Sequence, residues 1–438
     1  MLEAIGLTSV DDLFAAIPPR FALNRELHLP SALTEWDLTR HLSELAHRNE
    51  STDRVVSFLG GGAYDHFVPA VVDTIASRSE YYTAYTPYQA EVSQGTLQVG
   101  FEFQSLVCSL TGLDVSNTSL YEGATALVEA VNLALNATGR PARILISEGV
   151  HPEYRQTLAT YRAGLPTEIV TIPLVNGLTD GRALARQADD RTAAIVVQSP
   201  NFLGGIESVS EAVRIARGSG ALTVQVFDPI SLGMLPRPGD LGVDVAVAEG
   251  QSLGTPLSYG GPYLGLFACR SEHLRRVPGR MVGETTDRLG RRCFVLTLQT
   301  REQHIRRDKA TSNICSNQAL LALRASVYLA LMGPHGMREV AELCWHKAHY
   351  AAGKLAEVPG LTVLAESPFF KEFVIETPGP AESYLAPMLA QGIHAGIPLG
   401  RWFAGREREL LVAFTEKRSR EEIDHFADAW RQVLASTA

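Results

Sequence analysis

The chain has 438 residues, of which 45% are hydrophobic and 20% charged, a composition that predicts a soluble globular protein of two or three domains. Its formal net charge of −9 argues against a nucleic-acid partner, because such proteins present a basic face. No apolar run reaches the roughly 18 residues that span a bilayer, the N-terminus lacks the basic region of a secretory signal, and five scattered cysteines favour reduced thiols, so we expect a cytoplasmic protein without a membrane partner.

Residues 1–54 are predicted to form an N-terminal arm. Ser9 and the acids that follow it predict a first helix that Pro18-Pro19 ends, and a second short helix is expected around residues 42–46. A segment of this length cannot bury a core of its own, so we expect the arm to pack on another domain or subunit.

A cluster of polar and aromatic residues follows in residues 55–110. A strand predicted at 55–59 leads into Gly60-Gly61-Gly62, which suggests a phosphate contact and a flexible turn about equally. The stretch YYTAYTPYQAE at residues 81–91 contains four tyrosines and a proline that excludes a regular helix. Because tyrosine joins a large apolar ring to a polar tip, this density favours an interface or a site over ordinary packing.

Helices and short apolar strands alternate from residue 112 to residue 270. The clearest helix covers residues 123–137. The strand candidates are rich in valine and isoleucine and cover 143–147, 168–172, 193–198, 222–227, 243–247 and 264–268. Such alternation predicts a mainly parallel sheet covered by helices, with its site beyond the carboxyl ends of the strands. The polar residues at those ends are 148–151, 199–201, Asp228 and 249–251.

The last third of the chain begins with an arginine-rich region, residues 271–315, which we predict to be a loop. Its end, 306–313, precedes a helix at 318–331, a setting that suits an anion, although a charged run is usually a solvated face. Residues 316–438 predict a smaller α/β domain with a helix broken at Gly333-Pro334, strands at 361–364, 373–375 and 410–413, and a capping box at 419–422. His346-x-x-His349 lacks the glutamate of a metalloprotease motif, so no metal site is predicted.

One residue at the strand ends bears directly on function. A strand ending on Asp228, a strand followed by 249–252 and then a glycine turn are typical of enzymes that hold pyridoxal phosphate (PLP). In those enzymes an acid pairs with the pyridinium nitrogen and a lysine on the next loop forms the Schiff base, but Gln251 stands at that position here. The first lysine of the chain is Lys309, and arginine cannot form an imine, so we expect no covalent PLP on this chain.

Four long stretches carry a family resemblance: YYTAYTPYQAEVSQGTLQ, SLYEGATALVEAVNLA, AEGQSLGTPLSYGGPYLG and IRRDKATSNICSNQALLALRA. With them the chain resembles, over nearly its whole length, the glycine decarboxylase (P-protein) family of the glycine cleavage system, and within it the alpha chain of the split, two-subunit form. The resemblance implies an α/β fold of the PLP-dependent transferase type (fold type I). Its large domain, 55–315, would hold a mostly parallel seven-stranded sheet, and 316–438 a smaller C-terminal α/β domain.

The resemblance also implies a reaction and its partners. Such a chain is one subunit of an oxidoreductase, glycine dehydrogenase (aminomethyl-transferring, decarboxylating). Together with subunit 2, the beta chain, it decarboxylates glycine and passes the aminomethyl group to the lipoyl arm of the H-protein. PLP is then bound covalently to the beta chain and not to this one, and the expected assembly is α2β2.

Matching positions imply that this chain keeps a relic of a PLP pocket. By resemblance the phosphate turn is Gly123-Ala124-Thr125, the ring-stacking group His151, the neighbour of the ring hydroxyl Asn201, the acid at the ring nitrogen Asp228, and the substitute for lysine Gln251. These residues either fill a closed relic or still bind a ligand, and the sequence favours the closed relic.

Two roles for the chain stay open at this point. In the first it lends loop residues to the PLP site of the beta chain, with Tyr85 and Lys309 nearest to catalysis and with Tyr82, Tyr88, Gln89, Arg306 and Thr311 beside them. In the second it is a non-catalytic scaffold or docking subunit that stabilises the beta chain or receives the H-protein. The retained tyrosines and basic residues favour the first role, because phosphate and carboxylate groups need such partners.

Overall fold

The computed structural model describes residues 1–23, 25–140 and 142–437, and the chain divides into two compact units after Ser51. Its α-helices are α1 Glu35–Ala46, α2 Ala70–Ala76, α3 Ser79–Tyr82, α4 Gln94–Thr111, α5 Gly123–Thr138, α6 Pro152–Arg162, α7 Gly181–Gln187, α8 Val209–Ser219, α9 Pro238–Leu241, α10 Gln303–Arg306, α11 Ala319–Ala356, α12 Glu382–Ala390 and α13 Arg420–Thr437. Its strands are β1 Val56–Ser57, β2 Val115–Ser116, β3 Ala142–Ser147, β4 Thr167–Ile172, β5 Leu174–Val175, β6 Leu178–Thr179, β7 Thr192–Ser199, β8 Leu222–Phe227, β9 Val245–Glu249, β10 Gly265–Cys269, β11 Val282–Thr286, β12 Arg292–Leu296, β13 Thr362–Leu364, β14 Glu372–Glu376, β15 Ile393–His394, β16 Ile397–Pro398 and β17 Glu409–Ala413.

The first unit contains α1 and three short 3-10 turns. The predicted second helix is confirmed as α1, whose N-cap Thr34 accepts a hydrogen bond from the backbone N–H of Asp37 at 3.2 Å. The predicted first helix is wrong in kind, since Asp11–Phe14 is a single 3-10 turn. Ser9 and Asp12 bond each other's backbone N–H groups there, as in a capping box, but the proline pair leaves no room for a longer helix.

The second unit is built on a seven-stranded sheet in the order β2-β10-β9-β8-β7-β3-β4. The pairs β9·β8, β8·β7, β7·β3 and β3·β4 are parallel, and β10 pairs antiparallel with both β9 and β2. The predicted mostly parallel sheet of fold type I is therefore confirmed. Six of its strands lie within two residues of the bounds expected from the sequence, and the two-residue strand β2 was not predicted.

Both faces of this sheet are buried, which explains why its strands are continuously apolar. Along β9, Val245 and Val247 pack in the core beneath α5, whereas Ala246 and Ala248 face the core formed by α4 and the first half of α11. Successive side chains of a strand point to opposite faces of the sheet, so they pack against two different layers of helices. This arrangement leaves the carboxyl ends of β3, β7, β8 and β9 as the edge where polar side chains collect.

The smaller C-terminal layer is a four-stranded antiparallel sheet, β13-β14-β17-β16, packed against α12, α13 and the end of α11. Its aromatic core includes Phe373 and Phe414, stacked with ring centroids 5.6 Å apart. The predicted break in α11 is confirmed at Gly333, whose φ of 55° lies in the left-handed region, just before Pro334. The capping box is also confirmed, with Ser419 and Glu422 bonding each other's backbone N–H groups.

Two features differ from the sequence expectations. The arginine-rich region is not all loop, because β11 and β12 form a hairpin there whose exposed polar residues hide the strand pattern. The strand predicted at 55–59 is observed as β1, but it pairs with β15 of the C-terminal segment rather than with the main sheet.

The proposed domain boundary between residues 315 and 316 lies just before helix α11. The first half of this helix packs on the main sheet and its second half packs on the C-terminal layer. No helix in the described part of the chain is long and apolar enough to cross a membrane.

Candidate functional site

The predicted polar residues meet at the carboxyl edge of the main sheet, around a small cavity. It is lined by His151 after β3, Asp228 after β8, Glu249 at the end of β9, and two residues from outside the sheet, Tyr64 and Lys371. The cavity volume is about 30 Å³, enough for about two water molecules. The groups that line it decide whether the position suits a cofactor.

The N-terminus of α5, where the phosphate turn was expected, is occupied by carboxylates of the chain itself. Gly123 N–H donates to Glu249 Oε2 at 3.0 Å, and Thr125 N–H donates to Glu122 Oε1 at 2.8 Å. Free backbone N–H groups at a helix start attract anions, and here two of these N–H groups already donate to side-chain carboxyl oxygens. The phosphate site expected at Gly123, Ala124 and Thr125 is therefore filled.

Glu249 is held at this position by further backbone donors. Its Oε1 accepts from Gln251 N–H at 3.0 Å and from Leu264 N–H at 2.9 Å. Burial raises the pKa of Glu249 to about 8, although the three backbone donors favour the carboxylate and act to lower this pKa. A Cβ at Gly123 would collide with the Tyr154 hydroxyl oxygen, so this tyrosine fills the remaining space above the helix start.

His151 is fixed as a neutral ring. Its Nδ1 accepts from Glu153 N–H at 3.1 Å, so its Nε2 carries the proton and donates to Gly61 O at 2.7 Å. Burial lowers the pKa of His151, which agrees with the neutral form. One face of the ring stacks on Tyr154 with centroids 4.8 Å apart, where the resemblance expects this ring to lie against a cofactor.

Asn201 does not face the cavity as the resemblance expected. Its Nδ2 donates to Gly177 O at 2.8 Å and to Glu207 Oε1 at 2.9 Å. Its Oδ1 accepts from Leu203 N–H and Gly205 N–H, each at 3.0 Å. The amide therefore holds the loop after β7 together and has no donor left for a ligand.

Asp228 is paired with a lysine that the sequence analysis did not place in the site. Lys371 Nζ lies 2.8 Å from Asp228 Oδ2 and 3.1 Å from His66 Nε2, and it stands 3.4 Å from the centroid of the Tyr64 ring. The lysine is 1% exposed. Its ammonium gives Asp228 the cation that a pyridinium nitrogen would provide. The sequence feature that could have identified Lys371 is the charged pair Lys371-Glu372 inside an apolar run. A charge in such a run is expected to be buried, and a buried charge requires a partner.

Gln251 is 1% exposed and joins two loops through its amide. Its Oε1 accepts from Tyr64 N–H at 2.9 Å, and its Nε2 donates to Tyr64 O at 3.1 Å and to Thr255 O at 2.7 Å. A lysine has no acceptor and could not make the first of these bonds. Gln251, at the position where the resemblance expects a lysine, is thus a structural bridge.

The loop that covers the cavity, residues 60–67, is held by carboxylates of the C-terminal layer. Glu372 accepts from Gly61 N–H and from the Tyr64 hydroxyl, each at 2.7 Å, and burial raises its pKa to about 7. Glu416 lies 2.6 Å from His66 Nδ1. With its phosphate and ring-nitrogen positions filled and Gln251 at the position where the resemblance expects the Schiff-base lysine, the pocket does not fit PLP.

The tyrosine-rich loop and the segment after the basic loop come together elsewhere. The Tyr88 hydroxyl donates to Asn317 Oδ1 at 3.2 Å, and the Arg280 guanidinium lies 4.7 Å from the centroid of the Tyr88 ring. Tyr82 lines an adjoining cavity of about 90 Å³. Tyr85 is 90% exposed, and the other exposed members of the predicted loop set are Tyr82, Gln89, Arg306, Lys309 and Thr311.

Comparisons with known proteins agree over the whole chain. The family model described as "Glycine cleavage system P-protein" matches residues 1–430. A Moorella thermoacetica protein named "Probable glycine dehydrogenase (decarboxylating) subunit 1" is 52% identical, covering 99% of this chain and 97% of the relative. The Chlorobium limicola protein of the same name is 52% identical, covering 98% and 96%.

Solved structures agree with these sequence relatives. A crystal structure of glycine decarboxylase (P-protein) of the glycine cleavage system, in inhibitor-bound form, has a TM-score of 0.92 and 44% identity and covers 99% of this chain and 97% of that one. A Burkholderia pseudomallei sphingosine-1-phosphate lyase has a TM-score of 0.68 at 14% identity, covering 96% and 94%, and it shows the fold alone.

Proposed function

Because this chain belongs to the glycine cleavage system P-protein family, as a subunit 1 of glycine dehydrogenase (decarboxylating), we propose that it is the alpha subunit that completes the active site of a lysine-bearing beta subunit. Together the two decarboxylate glycine and transfer the aminomethyl group to the lipoyl arm of the H-protein, in an α2β2 assembly. PLP held by the beta chain would supply the electron sink that decarboxylation of glycine needs. The free cysteines of the described residues suit the cytoplasm as its location.

The observation that carries this proposal is the contrast between the filled relic pocket and the outward-facing loops. In the pocket, Lys371 and Glu249 take the places of cofactor groups, so those residues serve the fold. Tyr85 and Lys309 are exposed, on loops that leave a hydroxyl and an ammonium free for another molecule. An ammonium can neutralise the glycine carboxylate or the cofactor phosphate, and a phenol can hydrogen-bond the substrate.

Removing either polar group should therefore slow the reaction of the reconstituted complex. We expect Tyr85→Phe or Lys309→Ala to slow the exchange of labelled carbon dioxide with glycine about ten- to a hundredfold. Each variant removes one contact to the transition state, and a charge-assisted contact contributes about 1.5–3 kcal/mol. Size-exclusion chromatography should show an unchanged assembly. Matched controls are Tyr161→Phe, an exposed tyrosine on α6, and Lys354→Ala near the end of α11, which should keep full activity.

Full activity in both loop variants would transfer the assignment to the scaffold role. The loops would then serve only the contact with the beta chain or with the H-protein. In that case a loop variant that removes the whole ring, such as Tyr85→Ala, should weaken assembly and leave the rate per assembled complex unchanged.

The proposal also predicts where PLP is absent. Borohydride reduction of this chain alone with PLP should leave its peptides without a stoichiometric pyridoxyl group, whereas the beta chain, treated in parallel, is labelled. Lys309 is exposed at the end of a 3-10 turn, Arg307–Lys309, rather than after a strand of the main sheet, and the ammonium of Lys371 is paired with Asp228. A single labelled lysine found by peptide mapping at one group per chain contradicts this.

A further inference from the structure

A second group of polar residues lies at the other end of the central strands from the relic pocket. Asp244 immediately precedes β9, and Glu272 and His273 follow β10 in a 3-10 turn, Ser271–Arg276. Since β9 and β10 are antiparallel, with Val245 opposite Cys269, the start of one strand lies beside the end of the other. One ligand atom from each of the three side chains lies within 4.8 Å of the other two.

His273 is a buried side chain without a hydrogen-bonding partner. It is 6% exposed, and within the described residues neither ring nitrogen makes a hydrogen bond. Buried polar groups in proteins are nearly always satisfied, so an orphaned imidazole indicates a missing ligand or water. His273 Nε2 faces Glu272 Oε1 at 3.6 Å, too far for a hydrogen bond.

Asp244 has one oxygen committed and one available. Its Oδ2 accepts from Thr223 N–H at 2.7 Å. The nearest cation to Oδ1 is Arg270 Nε at 3.7 Å, but that N–H already donates to Val243 O at 3.0 Å. Asp244, Glu272 and His273 therefore bring two carboxylates and one imidazole without a hydrogen bond close together.

We propose that Asp244, Glu272 and His273 bind one divalent transition-metal ion of the Zn²⁺ class, with water in the remaining position. Carboxylate oxygens and imidazole nitrogens at such spacing are ligands that Zn²⁺ accepts in a tetrahedral site. The ion neutralises the two carboxylates and fastens the turn after β10 to the start of β9. The site is structural, and it is separate from the proposed catalytic role.

A second His/Cys/Glu group, His66, Cys344 and Glu416, is a weaker candidate. His66 Nδ1 already bonds Glu416 at 2.6 Å, and the Lys371 ammonium lies 3.1 Å from the other nitrogen of the ring. An ion there would have to break the first bond and approach a buried positive charge. Burial also raises the pKa of the Cys344 thiol, which opposes the thiolate that metals need.

Zn²⁺ titration of the chelator-treated full chain, by isothermal calorimetry, tests the proposal. We expect one Zn²⁺ per chain and a rise in melting temperature when Zn²⁺ is added. Glu272→Gln and His273→Ala should each weaken binding by at least about tenfold, because losing a ligand costs no less than losing one of its supporting contacts. Glu272 is exposed, so its amide variant keeps the fold even if the His273 variant does not.

Two controls locate the ion. His304→Ala removes an exposed histidine 3.7 Å from another carboxylate and should leave binding unchanged. Cys344→Ala removes one member of the second group and should also leave Zn²⁺ binding unchanged. The proposal is overturned if the wild-type chain binds no Zn²⁺, if Glu272→Gln binds it as the wild type does, or if Cys344→Ala abolishes binding.

Discussion

Replacing Lys371 with methionine should lower the free energy of unfolding by about 3–5 kcal/mol, because it leaves the Asp228 carboxylate buried without its cation. The Asp228 side chain is 11% exposed and Lys371 Nζ is 2.8 Å from it. His66 and Tyr64 lose the same ammonium, so two further contacts disappear with the pair. Equilibrium unfolding of the full chain in urea measures the change.

Two matched variants separate the buried pair from a general effect of losing a lysine. Lys354→Met removes a lysine whose nitrogen is 3.9 Å from Asp424 at the surface, and it should cost no more than about 1 kcal/mol. The double variant Lys371→Met with Asp228→Asn removes both charges and should recover a large part of the loss. If Lys371→Met and Lys354→Met prove equally stable, the ammonium at the position of the pyridinium nitrogen contributes nothing to the fold.

Restoring the lysine of the PLP enzymes by Gln251→Lys should destabilise the chain and leave it inactive. The variant places an ammonium at a position that is 1% exposed and leaves Tyr64 N–H without its acceptor. Each buried unsatisfied group costs about 1–3 kcal/mol, and the buried charge adds to that, so we expect a loss on the order of 3 kcal/mol or more. Urea unfolding and borohydride labelling with PLP report the two effects.

Gln251→Leu is the control that loses the hydrogen bonds without adding a charge, and it should be less destabilised than Gln251→Lys. Neither variant should gain an imine, because Glu249 holds the N-terminus of α5 and Lys371 holds Asp228. Glycine turnover by Gln251→Lys in the absence of the beta chain would show that the pocket is open to PLP after all.

The sequence alone was sufficient for the main sheet and the helices that cover it. The apolar runs of β8 and β9 and the helical period of α5 are patterns within single segments, so they can be recognised without knowledge of distant neighbours. The identity of the family also came from the sequence, since long ordered stretches matched it and the whole-chain comparisons agree. The absence of lysine before Lys309 excluded an imine in the first two-thirds of the chain without any coordinates.

Only the tertiary structure decided which groups line the cavity at the carboxyl edge of the main sheet. Lys371 belongs to the C-terminal layer and Asp228 to the main sheet, and nothing in the spacing of the chain pairs them. The sequence indicates only that Gln251 stands where a lysine is expected, whereas the structure shows that its amide hydrogen-bonds to the backbone of Tyr64. The turn of His273 lies beside Asp244 only because β10 runs antiparallel to β9. The polar partners of buried groups depend on the topology, because the topology brings together residues that are distant in sequence. Hydrophobic periodicity, in contrast, is a property of each segment by itself.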